Sequence, residues 1–93
     1  MIFEFDTAKS SSNKVKHGID FVAAQALWDD GLRLETPALS GDEPRSQVLG
    51  LIGDKLWSAF ITYRNERVRI ISVRRARENE EDQYYGREKE NYS

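Results

Sequence analysis

The chain lacks cysteine altogether and has two prolines, one methionine and one histidine in 93 residues. Without cysteine there is no disulfide framework and no thiolate metal site, which fits a reducing compartment. No glycine-rich phosphate loop, nucleophilic triad or metal-ligand cluster is present, so hydrolysis by zinc or by an activated serine finds no support. The start, Met1 to Asp6, has neither the basic nor the apolar region of a signal peptide. No apolar run is long enough to cross a bilayer. These absences lead to the expectation of a soluble cytoplasmic protein with no membrane partner, no cofactor and no bound metal.

What is present suffices for one small folded domain spanning residues 1–93. The hydrophobic fraction is 39%, low but above the disordered range, because Trp, Tyr and Phe supply the bulk of a core. A chain this short is near the size at which stability becomes marginal. Net charge is −2, yet its distribution is segmented. Residues 64–77 hold Arg64, Arg67, Arg69, Arg74, Arg75 and Arg77 against Glu66 alone, a local +5 between acidic flanks. Phosphate attraction needs a concentrated positive patch, so any nucleic-acid site must be local.

That basic segment belongs to the stretch around which the chain is organised, KLWSAFITYRNERVRIISVRRAR from Lys55 to Arg77. Two runs rich in β-branched and aromatic residues flank a polar Arg64-Asn65-Glu66 tip, the pattern of a β-hairpin. Alternation places Val68, Ile70, Ser72 and Arg74 on one face of the second strand. Arg67, Arg69, Ile71, Val73 and Arg75 then share the other. Upstream, Ser46 to Gly53 reads as a strand turning at Gly53-Asp54-Lys55 into Leu56 to Tyr63, so three strands form an antiparallel meander.

Earlier in the chain, Ile2 to Phe5 reads as an edge strand, and Asp6 caps a helix over Thr7 to His17 that Gly18 terminates. Its inward stripe is expected at Ala8, Ser12 and Val15, leaving Lys9, Lys16 and Asn13 outward. A second helix is predicted over Phe21 to Asp29, capped by Asp20, with Phe21, Ala24, Leu27 and Trp28 packing inward. Leu32 to Glu35 reads as a brief strand, and Thr36 to Pro44 as a loop. A final acidic helix starts near Arg77 and carries Glu78, Glu80, Glu81 and Asp82 where they oppose the helix dipole. Residues 87–93 are expected to fray. The class is therefore α+β, an antiparallel sheet of four to five strands with two N-terminal helices on one face and a C-terminal helix.

The basic strand makes a plausible RNA cradle, or else its charges simply solvate a face or protect an edge. Were RNA to be cleaved there without a metal, the reaction would need a base for the 2′-hydroxyl, an acid for the 5′-oxygen and cations for the phosphorane. His17 is the only histidine, and imidazole as a residue type suits either proton role near neutral pH. At a helix C-terminus it is better suited to acid or phosphate binder than to base, or it simply caps the helix. Lys9 could serve beside it, with Lys16 and Asn13 near a phosphate. Arg69, Arg74 and Arg64 are the candidates for phosphate contact and transition-state stabilisation, since guanidinium forks match phosphate oxygens. Arg45, Arg67 and Arg75 extend the RNA-binding set. Glu43 and Glu80 could instead pair with these arginines, an equal structural alternative. Tyr63, Tyr84 and Trp57 could stack on bases, or pack in the core or on a partner.

Several of these residues fall into blocks that resemble the BrnT toxin family of type II toxin–antitoxin systems. They are Asp6 and Lys9, then Asn13, Lys16, His17, Gly18 and Phe21, then Arg45 and Gly53. Arg69, Ile70, Ile71, Ser72, Arg74 and Ala76 follow, and Glu80 and Tyr84 close the series. The resemblance implies a RelE-like fold, endoribonuclease activity that inhibits translation and arrests growth, and neutralisation by a BrnA-like ribbon-helix-helix antitoxin. It further implies a 2:2 complex that represses its own operon, touching operator DNA through the antitoxin. The acidic last helix and Val73, where alanine is common, depart from the family pattern.

Overall fold

The computed structural model describes residues 1–38 and 41–91, with side chains described up to residue 87. The elements run β1 (Ile2–Glu4), α1 (Thr7–His17), a 3-10 helix (Ala23–Asp29), β2 (Leu34–Ala38), β3 (Arg45–Ile52), β4 (Lys55–Arg64), β5 (Arg67–Arg75) and α2 (Glu78–Asn91). They form an α+β fold around a five-stranded sheet of order β1-β5-β4-β3-β2. Strands β2 to β5 are the antiparallel meander, but β1 runs parallel to β5. The sheet is thus mixed rather than wholly antiparallel. A hairpin forces its two strands antiparallel, whereas β1 reaches β5 only through the rest of the chain and is free of that constraint. No helix among the described residues is long and apolar enough to cross a membrane.

The sheet has two unlike faces. On the first, Ile19, Phe21, Ala24 and Leu27 pack on Val48, Ala59, Ile61, Val68, Ile70 and Val73. On the second, Leu49, Leu56 and Tyr84 form a smaller cluster under α2, leaving the rest of that face uncovered by helix. The buried residues of the first helical cover recur at Phe21, Ala24 and Leu27. The expected second helix forms over Ala23–Asp29 as a 3-10 helix, whose period suits the three-residue spacing of Ala24 and Leu27. Close approach is built in here: a Cβ on Gly50 would stand 2.5 Å from Leu27 Cδ2.

Helix α1 has the predicted ends and a different inward face. Asp6 accepts from the Lys9 N–H at 3.0 Å, and Gly18 closes the helix at φ 80°. Inside are Ser10 and Asn13, while Ala8 and Ser12 are exposed and Val15 is 88% exposed. Polar contacts set this rotation. Ser10 Oγ accepts from the Phe21 N–H, and the Asn13 amide donates to the Ile19 and Val73 carbonyls at 2.8 Å while accepting from the Val73 N–H. Pairing between β1 and β5 stops at Glu4 and Arg69, so Asn13 takes over the open edge of β5 where β1 gives out. Buried backbone groups require such partners, and here they outrank a weak apolar stripe.

Strand β2 extends over Leu34–Ala38, later than expected, because Pro37 is tolerated on the outer strand of a sheet. The β4–β5 turn is two residues, Asn65 and Glu66, with φ 49° and 65°, the pair of positive angles a type I′ hairpin needs. Helix α2 buries Glu80 and Tyr84 and continues through Asn91. The end of the expected frayed tail, residues 92 and 93, lies outside the described residues.

Candidate functional site

One irregularity in β5 decides where its arginines point. Phe60 pairs with Ser72 and Ile61 with Ile70, so Ile71 is an extra residue without a partner on β4. Such a bulge reverses the alternation beyond it. Val73 therefore joins Val68 and Ile70 in the helix-covered core, and Arg74 turns to the face that Arg69 occupies. The expected division, with Arg74 apart from Arg69, is reversed. Arg75 is reversed too: it lies on the opposite face, exposed, 5.4 Å from the Trp57 ring. It does not join the other arginines.

Register assembles the rest of the second face in rows. Arg64 stands opposite Arg67, Thr62 opposite Arg69, Phe60 opposite Ser72 and Ser58 opposite Arg74. Arg45 precedes Ser46, the partner of Ile61, and so flanks the Thr62 row from β3. Five arginines, from positions 45 to 74, thus share one sheet face at strand spacings of about 4.8 Å. Phe60 lies among them, half-buried, with the Arg74 guanidinium 5.3 Å from its ring centre.

Three of the five face carboxylates in different ways. Arg74 donates twice to Glu80, at 2.7 and 2.9 Å. Glu80 also accepts from the Arg77 N–H and from Gln47, whose amide reaches Ser58 Oγ as well. Burial by itself would raise the Glu80 pKa, but these donors outweigh it and hold the carboxyl at about 2. Arg69 has a looser ion pair, 3.5 Å to Glu4, and Arg64 an exposed one, 3.2 Å to Glu43. The pairing alternative drawn from the sequence is realised for Arg64 with Glu43 and Arg74 with Glu80. Arg45 forms no ion pair among the described residues, and its buried Nε has no hydrogen-bond partner.

Beside this face, along the β5 edge, runs a groove of about 190 Å³ lined by Lys9, Ser12, Asn13, Lys16, His17, Ile71 and Ser72. Ser72 belongs to both the groove and the arginine face, and so joins them. The helix brings Lys9, Lys16 and His17 to one place, all exposed. The Asp6 carboxyl is held below its usual range, chiefly by the Lys9 N–H and to a lesser degree by the Lys9 and Arg69 charges, which sets Arg69 near the first turn of α1. Asn13 is a correction. It is 6% exposed and spends its amide on backbone, so it fixes α1 against β5 instead of reaching out to a nucleic acid.

The aromatic candidates change as well. Tyr63 donates to Glu35 at 2.8 Å, and burial together with that bond pushes its phenol up to about 12. Tyr84 is buried and donates to Asp30 at 2.5 Å, and Trp57 packs against the first-face core. Phe60 is the aromatic ring on the arginine face. Phe60 shares the face of Thr62 and Arg64 by plain alternation along β4 and was overlooked in the sequence, whereas Glu4 sits in a strand of three residues whose neighbour is fixed only by the fold. Among the described residues, no group of three or more His, Cys, Asp or Glu side chains is placed to hold a metal ion.

A face of arginines joined to a groove of lysines and a histidine can bind a phosphodiester, donate a proton and stabilise added negative charge. No curated protein matches the chain. Residues 5–80 match the family model described as "Ribonuclease toxin, BrnT, of type II toxin-antitoxin system".

Proposed function

The chain belongs to the BrnT family, the ribonuclease toxins of type II toxin–antitoxin systems that a cognate antitoxin neutralises, and we propose that it cleaves RNA on the arginine face without a metal. The observation that carries this is the Ile71 bulge, which sets Arg69 and Arg74 on one face with Ser72 between them and the Lys9–His17 groove alongside. In this reading Arg69 grips the scissile phosphate and stabilises the phosphorane, and Arg45, Arg64 and Arg67 track the flanking backbone. His17 or Lys9 donates the proton to the leaving oxygen, and Lys16 holds a neighbouring phosphate. Phe60 offers a ring for base stacking, braced by Arg74. Arg74 itself is tied to Glu80 and supports the site from its place beside Phe60 on the same face.

The consequence is growth arrest through translation inhibition in the cytoplasm. The antitoxin is BrnA-like, a ribbon-helix-helix protein that joins the toxin in a 2:2 complex and carries it to operator DNA. Total RNA incubated in EDTA with purified wild type and with Arg69→Ala tests the enzymatic part. Cleavage that survives chelation and disappears in the folded variant supports the reading. Clean wild type that leaves RNA intact, with and without ribosomes, overturns it.

A second reading is favoured by the carboxylates already seated on Arg64, Arg69 and Arg74 and by the acidic first turn of α2. Here the protein is a catalytically weak module that binds antitoxin and co-represses. Charge reversal at Glu78, Glu81 and Asp82 should then weaken antitoxin binding, mainly through its on-rate. Unchanged affinity in that triple variant rules it out.

A further inference from the structure

We propose that Glu4 is the general base of the cleavage reaction, an inference that rests on the nuclease reading above. Metal-free cleavage needs one group to take the 2′-hydroxyl proton and another to protonate the departing 5′-oxygen. The groove along α1 offers Lys9, Lys16 and His17, whose charged forms suit the second task. The proton acceptor has to come from a carboxylate on the same surface.

Four carboxylates border it, and three are otherwise committed. Glu80 is 6% exposed and filled by donors from Arg74, Arg77 and Gln47. Asp6 is the cap of α1, accepting from the Lys9 N–H. Glu43 pairs with exposed Arg64 beside the hairpin tip, at the end of the sheet away from the groove. Glu4 differs from all of these. It is the last residue of β1, directly opposite Arg69, with its side chain 29% exposed. Its Oε2 stands 3.5 Å from the Arg69 guanidinium, and it accepts no hydrogen bond among the described residues. A carboxylate with free lone pairs therefore sits next to the guanidinium that grips the phosphate. With Arg69 on a non-bridging oxygen, the adjoining ribose 2′-hydroxyl falls to Glu4.

In the step itself, Glu4 takes the 2′-hydroxyl proton as the 2′-oxygen forms a bond to phosphorus. The bond from phosphorus to the 5′-oxygen breaks, and that oxygen takes a proton from the ammonium or imidazolium of the groove. The products are a 2′,3′-cyclic phosphate and a free 5′-hydroxyl. Arg69 carries the charge that gathers on the non-bridging oxygens.

The test compares wild type, Glu4→Gln and Glu4→Asp, each checked for folding by circular dichroism. The substrate is a single-stranded RNA that wild type cuts, and binding is measured on the same oligonucleotide carrying 2′-O-methyl groups. Glu4→Gln should lower kcat by about 100-fold or more. Affinity for the methylated strand should stay within roughly threefold, because only a transition-state role has been removed. Glu4→Asp, which keeps the carboxylate but withdraws it by one methylene, should fall between the two. Unchanged kcat in Glu4→Gln overturns the proposal, as does a loss confined to KM and binding, which would mean that Glu4 only orients Arg69. If the Gln variant does not fold, the Asp variant decides by the same split between kcat and binding. Wild type without cleavage removes the nuclease reading and this inference together, whereas active wild type beside an equally active Glu4→Gln removes this inference alone.

Discussion

Arg69 and Arg74 are on one strand and one face, and each faces a glutamate, yet the two pairs behave as different devices. Arg74 and Glu80 are 20% and 7% exposed in their side chains, doubly bonded, and further fastened by Gln47 and the Arg77 N–H. Arg69 and Glu4 are both 29% exposed and meet at 3.5 Å only. The same two residue types thus make a clamp where α2 covers the sheet and an available ion pair where it does not. Solvent access and the number of competing donors separate them: a saturated, buried pair is costly to break, while a loose one can exchange its carboxylate for a phosphate.

That contrast can be broken in order of size. Glu80→Ala leaves Arg74 without its carboxylate and should cost about 3 kcal/mol of stability, read as a lower urea midpoint. Arg69→Ala should leave stability within about 0.5 kcal/mol, since a loose 3.5 Å pair open to solvent contributes little. Its cleavage rate should nevertheless fall by about 10²–10³-fold, the usual loss for a fixed transition-state donor. If the two substitutions exchange these effects, the division between clamp and site is wrong.

Acid titration sharpens the same difference. The Glu80 carboxyl is depressed from 4.5 to about 2, so its contribution is complete above pH 4.5 and disappears as pH falls from there towards 2. Unfolding measured across that window should show a steeper loss for wild type than for Glu80→Gln, which has no proton to gain there. Asp6 and Asp30 are lowered as well, and subtracting the variant removes their share. The smallest effect is at the hairpin tip. Glu66 adopts φ 65°, and Glu66→Gly should stabilise by about 0.5–1 kcal/mol without changing cleavage.

Much of this was legible locally. The extent of α1 follows from Asp6 and Gly18, the meander from its runs of Ile, Val, Phe and Tyr, and the segmented charge from simple counting. The face of α1 was not legible, because Ser10 and Asn13 turn inward to satisfy Phe21, Ile19 and Val73, and no periodicity of apolar residues announces that. The site was half legible. Arg64, Arg67 and Arg69 share one sheet face and Lys9, Lys16 and His17 line one groove, while Arg75 lies on the other face and Asn13 is spent on backbone.

The sequence by itself determined the elements, their caps and turns, the basic hairpin and the blocks that mark the family, since each depends on residues close together in the chain. Tertiary structure alone decided that Arg74 faces with Arg69 and that Glu4 stands beside Arg69. A single extra residue at Ile71 inverts every side chain beyond it, and whether it is bulged out depends on how β4 pairs across the strand. Glu4 likewise gains its neighbour only when β1 docks parallel to a strand more than sixty residues away.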